Sequence, residues 1–83
     1  MQTTDINQEI RSFLVASFLS GNAERLRDDD TLLGEVIDST GVLELVGFIQ
    51  EHFGISVDDE DVNPENLASV NSLVSYVSRK MAA

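Results

Sequence analysis

The sequence predicts an all-α protein, a four-helix bundle with a long first loop and a short third helix. Three stretches carry apolar residues at helical spacings, and no stretch shows a clear strand pattern. Each helix must bury its apolar face, and a bundle is the simplest arrangement that does so. The chain has 83 residues and no cysteine, so we expect a single domain over residues 1–83 without disulfides or thiolate metal sites.

The first helix should begin near Thr4 or Asp5, which are good N-terminal caps, and should end at residues 20–22. Its predicted buried face consists of Ile6, Ile10, Phe13, Leu14 and Phe18. A long connection follows over residues 21–37. Apolar residues within this connection predict that it packs against the core, and they are Leu26, Leu32, Leu33, Val36 and Ile37.

The second helix is predicted to run from about Ser39 to Phe53, with Gly54 as its C-terminal cap. Its buried face should hold Val42, Leu45, Val46, Ile49 and Phe53. The candidate partner-binding residues on its other sides are Thr40, Leu43, Glu44, Gly47, Phe48 and Glu51. Leu43 and Phe48 lie at the edges of the apolar face, where they either form a contact surface or cover neighbouring loops.

The remaining chain predicts one short element and one long helix. Residues 55–57 are an apolar connection, and Pro64 suits the first turn of a short helix, or of two single turns, within residues 58–67. Ser69 should cap the last helix. The buried face of that helix is predicted to hold Val70, Leu73, Val74, Val77 and Met81.

The charge is strongly acidic, with fifteen Asp and Glu against five Lys and Arg and a formal net charge of −10. Twelve acidic residues and no Lys or Arg lie between Asp28 and Ser78. Such a field disfavours nucleic acid and anionic lipid, and it either attracts proteins with basic patches or only maintains solubility. No apolar run is long enough to span a membrane and no signal peptide is evident, so we expect a cytoplasmic monomer.

Catalytic chemistry within the chain is not expected. The sole histidine, His52, follows Ser39 by thirteen residues on one predicted helix, which places the two about 20 Å apart. The acidic runs at Asp28–Asp30 and Asp58–Asp61 do not fit the spacing of a calcium loop, and we expect no metal site. His52 has a simpler role at the C-terminal end of its helix. Ser39 itself is either a plain helix cap or a hydroxyl presented to another protein.

The segment from Ile37 to Val46 resembles the prosthetic-group site of acyl carrier proteins. The family motif is Asp-Ser-Leu followed by an amphipathic helix, and Asp38-Ser39-Thr40 occupies its place here. The long loop with apolar anchors, the acidic segment after Gly54 and the capped last helix at Ser69 also resemble the family. The resemblance covers nearly the whole chain, and it implies a carrier that is not an enzyme.

The resemblance implies that Ser39 bears 4′-phosphopantetheine, donated from coenzyme A by a separate Mg²⁺-dependent phosphopantetheinyl transferase. The thiol of this arm would hold an acyl or aminoacyl group as a thioester. Asp38 would help to place the transferase's Mg²⁺, and Glu44 and Glu51 would meet basic patches on partner enzymes. Those partners would be a loading ligase and a downstream synthase or transferase, in a fatty acid, polyketide or nonribosomal peptide pathway.

Three positions depart from the family pattern. Thr40 replaces the usual Leu, Gly47 replaces an apolar contact residue, and Gln50 is neutral where an acid is common. We therefore expect a stand-alone carrier whose partners differ from those of general fatty acid synthesis. The alternative is an acidic helical adaptor that binds a basic protein without being modified.

Overall fold

In the computed structural model, which describes residues 3–82, the chain folds as an all-helical protein. Its elements in order are α1 (Thr3–Phe18), a 3-10 turn (Ala23–Arg25), α2 (Ser39–Phe53), a second 3-10 turn (Asp59–Asp61) and α3 (Val70–Ala82). The predicted all-α class is confirmed, and residues 3–82 contain no β-strand. None of the helices in this part of the chain is long and apolar enough to cross a membrane.

The core lies between the three α-helices, with α1 packed most closely on α3. Its helical members, each less than a tenth exposed, are Ile6, Ile10, Leu14, Leu45, Ile49, Phe53, Val70, Leu73, Val74, Tyr76 and Val77. The predicted faces are therefore largely confirmed. Met81 is an exception, because it lies in the last turn of α3 and is 37% exposed. Tyr76, which the pattern did not place inside, is 5% exposed.

The segment 58–67 contains turns in place of a continuous helix. The 3-10 turn at Asp59–Asp61 is followed by a single wider turn, in which the Leu67 amide donates to the Asn63 carbonyl over 3.1 Å. The Asn63 side chain explains the interruption, since it accepts from the Asn66 amide and donates to the Glu60 carbonyl. Asparagine side chains that bond to nearby backbone in this way compete with a regular helix.

The long connection packs down as predicted. Leu26, Leu32 and Ile37 are 3%, 0% and 2% exposed. Arg11 of α1 holds the connection by donating to Oδ1 of Asp28 and to the Leu26 carbonyl, each over 2.7 Å. These contacts fix the path by which the chain arrives at α2.

Local signals end and begin the helices where the sequence indicates. Gly54 has the left-handed conformation, with φ of 68°, and its amide donates to the Gln50 carbonyl. Such a conformation favours glycine, which has no Cβ to clash. Before α3, Oγ of Ser69 accepts from the Ser72 amide over 3.2 Å and acts as the predicted cap.

Candidate functional site

Asp38, and not Ser39, caps the N-terminus of α2. Oδ1 of Asp38 accepts from the Gly41 amide over 2.8 Å, and its backbone is extended. Ser39 is the first residue of the helix and is exposed. Of the two alternatives considered for Ser39, the plain helix cap is therefore wrong, because the preceding carboxylate takes the capping hydrogen bond. The hydroxyl of Ser39 is left free for another use.

A tight turn in front of α2 fixes the position of Asp38 and Ser39. The Leu32 carbonyl accepts the amides of Val36 and Ile37 over 2.8 and 2.9 Å, and the Gly34 amide donates to the Ile37 carbonyl over 2.8 Å. Gly34 has φ of 87°, a conformation that glycine adopts without strain. Because Ile37 is also buried, the residues that follow it start from an anchored point.

Two cavities lie on either side of the first turn of α2. The larger, of about 410 Å³, is bordered by Phe18, by the turn 34–38 and by Thr40, Gly41 and Glu44. The smaller, of about 250 Å³, lies beside Ser39 and has mainly apolar walls, which are formed by Leu33, Val42, Val62, Asn63, Pro64 and Leu67. Ser39 thus lies at the edge of this smaller, apolar cavity, which is between α2 and the segment 58–67.

His52 lies at the opposite end of α2 from Ser39 and makes contacts of its own. Its Nε2 is 2.9 Å from Oε2 of Glu9, and its ring stacks on Phe48 with 5.0 Å between the ring centroids. The structure therefore does not bring Ser39 and His52 together. Among residues 3–82, no group of three or more His, Asp or Glu side chains is arranged to hold a metal ion.

The outward side of α2 carries most of the residues predicted to meet partners. Leu43 is 73% exposed, and Thr40, Glu44 and Glu51 are also exposed. A Cβ atom added to Gly47 would meet no atom within 4 Å, so this position opens onto free space. We refer to these five residues as the outer face of α2.

Phe48 is separate from the outer face. It is half-buried and stacks on Phe13 of α1, with ring centroids 4.3 Å apart and an angle of 12° between the planes. Stacked aromatic pairs of this kind add to the packing between two helices. Phe48 thus contributes to the contact of α1 with α2, whereas the sequence suggested that it would either form a contact surface or cover neighbouring loops.

A polar cluster that the sequence did not indicate supports the far wall of the smaller cavity. The buried Tyr76 hydroxyl donates to Oδ2 of Asp61 over 2.7 Å, and Nζ of Lys80 lies 3.7 Å from Asp58 and 3.8 Å from Asp61. Burial, and then the hydrogen bond to Asp61, raise the pKa of Tyr76. Asp61 and Tyr76 are fifteen residues apart, so no local spacing signals their contact.

Comparison with known proteins agrees with this arrangement. The family model described as "phosphopantetheine attachment site" matches residues 13–77, which include the end of α1, the long connection and all of α2. The chain is also 29% identical over 79 residues to a probable acyl carrier protein, PigG, of Serratia sp. (strain ATCC 39006). That match covers 93% of this chain and 90% of the relative. The chain belongs to the acyl carrier protein family, whose members are non-catalytic carriers that hold covalently attached 4′-phosphopantetheine.

Proposed function

We propose that Ser39 is the attachment point of 4′-phosphopantetheine and that the chain carries an acyl or aminoacyl group as a thioester on this arm. The observation that carries the proposal is the exposed Ser39 hydroxyl at the start of α2, inside the matched region, with Asp38 already providing the cap. The sequence contains no cysteine, so the thiol needed for a thioester must come with the arm.

The attachment is a phosphoryl transfer onto oxygen. Oγ of Ser39 forms a new bond to the phosphorus that bears the pantetheine, and the pyrophosphate bond of coenzyme A breaks. Adenosine 3′,5′-bisphosphate leaves, and the hydroxyl proton passes to a base of the transferase. The chain supplies the nucleophile alone, which agrees with the position of His52 at the other end of α2.

The surroundings of Ser39 fit such a group. A phosphodiester on Oγ lies at the N-terminus of a helix, where backbone N–H groups and the helix dipole favour an anion. The smaller cavity, of about 250 Å³ and with mainly apolar walls, lies beside Ser39 and suits the methyl groups of the arm. When bound, the arm supplies the thiol. Val42 and Leu67 line the smaller cavity next to the attachment point.

Asp38 has two roles in this proposal. Its Oδ1 accepts the Gly41 amide and holds the first turn of α2. Its other carboxylate oxygen would serve as a ligand for the Mg²⁺ that the phosphopantetheinyl transferase brings. A carboxylate is a suitable ligand for Mg²⁺, which usually takes one or two of them together with phosphate oxygens.

We infer further that the outer face of α2 binds the partner enzymes. Leu43 offers an exposed apolar contact, and Glu44 and Glu51 offer charges for basic patches. The partners by this reasoning are the transferase, a ligase that loads the cargo, and a downstream synthase or transferase. Because Thr40 and Gly47 depart from the family pattern, we propose that this face selects partners outside general fatty acid synthesis.

The carrier is proposed to act as a cytoplasmic monomer formed by one domain over residues 1–83. We also propose that the segment 58–67 serves as the short third helix of a four-helix bundle. Support for this comes from Leu67, which is 5% exposed and belongs to the same core as the three α-helices. The turn from Asn63 to Leu67 already has the hydrogen bond of an α-helix.

The test is incubation of the purified chain with coenzyme A, Mg²⁺ and a broad-specificity phosphopantetheinyl transferase, followed by intact mass measurement. The wild-type chain should gain one phosphopantetheinyl group, and Ser39→Ala should gain none. Ser75→Ala, which removes an exposed serine of α3, is the matched control and should be modified normally. No gain with several transferases would favour the unmodified adaptor instead. An undiminished gain in Ser39→Ala would show that the arm is attached to another residue and would overturn the proposed role of Ser39.

A further inference from the structure

Gly41 in the first turn of α2 lies closer to its neighbours than any side chain permits. A Cβ atom added there would be 2.9 Å from Cε1 and 3.2 Å from Cζ of Phe18, and 3.2 Å from Cβ of Ile37. Gly47, in the same helix, has nothing within 4 Å of an added Cβ. Alanine is the better helix former at both positions. Only at Gly41 does the packing itself require glycine.

The neighbours of Gly41 are packed against other residues, although the Phe18 ring also borders the larger cavity. Ile37 is 2% exposed, and its backbone is held on both sides by hydrogen bonds to Leu32 and Gly34. Phe18 packs edge-on against Phe13, with ring centroids 6.0 Å apart and planes at 80°. Because packed interiors respond even to one added methylene and Ile37 is held in place, we expect a methyl group at Gly41 to displace the start of α2 from Phe18 and Ile37.

Such a displacement is transmitted to the attachment site. The Gly41 amide donates to Oδ1 of Asp38, so the capping bond depends on where Gly41 lies. In the sequence, Ser39 lies between the two residues that this bond joins. The orientation of the first turn of α2, and with it the position of the Ser39 hydroxyl, should therefore depend on how closely Gly41 approaches Phe18 and Ile37.

We propose that Gly41 is a positioning residue for the attachment of 4′-phosphopantetheine, an inference that rests on the proposed role of Ser39. The missing side chain lets the first turn of α2 lie against Phe18 and Ile37, and this contact places the Ser39 hydroxyl and the Asp38 carboxylate for the transferase. Phe18 acts through Gly41 and has no contact with the reacting atoms in this account.

The expected effect of Gly41→Ala is on the rate of transfer more than on docking. A misplacement of about 1 Å costs up to about 100-fold in rate, so we expect kcat for phosphopantetheinyl transfer to fall by about tenfold or more. Leu43 and Glu51 lie further along α2, and KM for the carrier should therefore change by less than about threefold.

The experiment compares the wild-type chain, Gly41→Ala, Phe18→Leu and the double variant, each with the transferase, coenzyme A and Mg²⁺. Leucine lacks the two ring atoms closest to the added methyl, so Phe18→Leu should restore kcat in the double variant to within about threefold of Phe18→Leu alone. Circular dichroism establishes that each variant is folded. If Gly41→Ala does not fold, the double variant decides the question.

Wild-type kcat in folded Gly41→Ala would overturn the inference and leave the proposed function intact. A folded double variant that stays as slow as Gly41→Ala would also overturn it. Failure of the proposed function looks different, because then the wild-type chain itself gains no mass.

Discussion

Tyr76 donates its phenolic hydrogen to Oδ2 of Asp61 over 2.7 Å, and this bond joins α3 to the 3-10 turn at Asp59–Asp61. The tyrosine is 5% exposed, whereas none of the three residues of the turn is buried. Lys80 lies beside the same carboxylate. The segment that forms one wall of the smaller cavity is thus held in place by a contact between side chains that are distant in sequence.

Tyr76→Phe tests how strongly this contact holds the fold. A hydrogen bond to a charged group contributes about 1.5–3 kcal/mol, and because Asp61 is partly exposed we expect a loss of about 1–2 kcal/mol in the free energy of unfolding. Urea unfolding followed by circular dichroism measures it. Asp61→Asn, which keeps an acceptor for the hydroxyl, should lose less. An unchanged unfolding midpoint in Tyr76→Phe would contradict the contact.

The titration of Tyr76 gives a second prediction. Burial first, then the hydrogen bond and the negative charges of Asp61 and Asp58, raise the pKa of Tyr76 well above its ordinary value of 10.0. The neutral phenol is therefore favoured in the folded state. The neutral phenol contributes its full stabilisation below a pH of about 10, which is the pKa of tyrosine in the unfolded chain. This stabilisation is lost as the pH rises from there through the pKa of Tyr76 in the folded chain.

Phenolate absorbance measures this titration directly, because Tyr76 is the sole tyrosine and tryptophan is absent. The folded chain should show no phenolate signal at a pH where the chain in denaturant is already half ionised. Tyr76→Phe should lose less stability over the same alkaline range. A midpoint near 10 in the folded wild-type chain would show that the hydroxyl is not held as described.

Gly47→Ala should stabilise the protein. The position is within α2, an added Cβ meets no atom within 4 Å, and alanine is favoured over glycine in a helix by about 1 kcal/mol. Thermal unfolding of the apo chain should show a midpoint higher by about 4–8 °C for that gain. A lower midpoint would mean that the space around Gly47 is occupied.

Ionic strength should raise the stability of the chain. Twelve acidic residues and no Lys or Arg lie between Asp28 and Ser78. Within residues 3–82, cations from outside the segment pair with only some of these acids, Arg11 with Asp28 and Lys80 with Asp58 and Asp61. Added salt screens the repulsion that remains. The melting temperature should therefore rise with NaCl and rise further with Mg²⁺. A melting temperature indifferent to both would show that this repulsion is absent.

The parts of the fold set by local chemistry were predictable from the sequence. The limits of α2 agree with the prediction because Gly54 supplies a left-handed cap at one end and Asp38 a carboxylate at the other. Ser69 likewise marks the start of α3. The path of the long connection follows from its apolar residues, of which Leu32 is fully buried.

The parts that depend on contacts between distant segments were not predictable. Helical spacing alone placed Met81 on the buried face, although this residue lies in the last turn of α3 and is exposed. The approach of Gly41 to Phe18 requires α1 and α2 to meet at a given angle, and no residue pattern within either helix predicts that angle. The same holds for Tyr76 and Asp61.

The capping bond from Asp38 to Gly41 has a consequence for the working cycle of a carrier. The hydroxyl of Ser39 takes no part in that bond, so turning it into an ester under the proposed function removes nothing that holds the helix. The apo form and the form with the arm attached can then share one conformation of α2. A partner enzyme then meets the same helix whether or not the thiol of the arm carries a group, and must distinguish the two forms by the arm and its cargo.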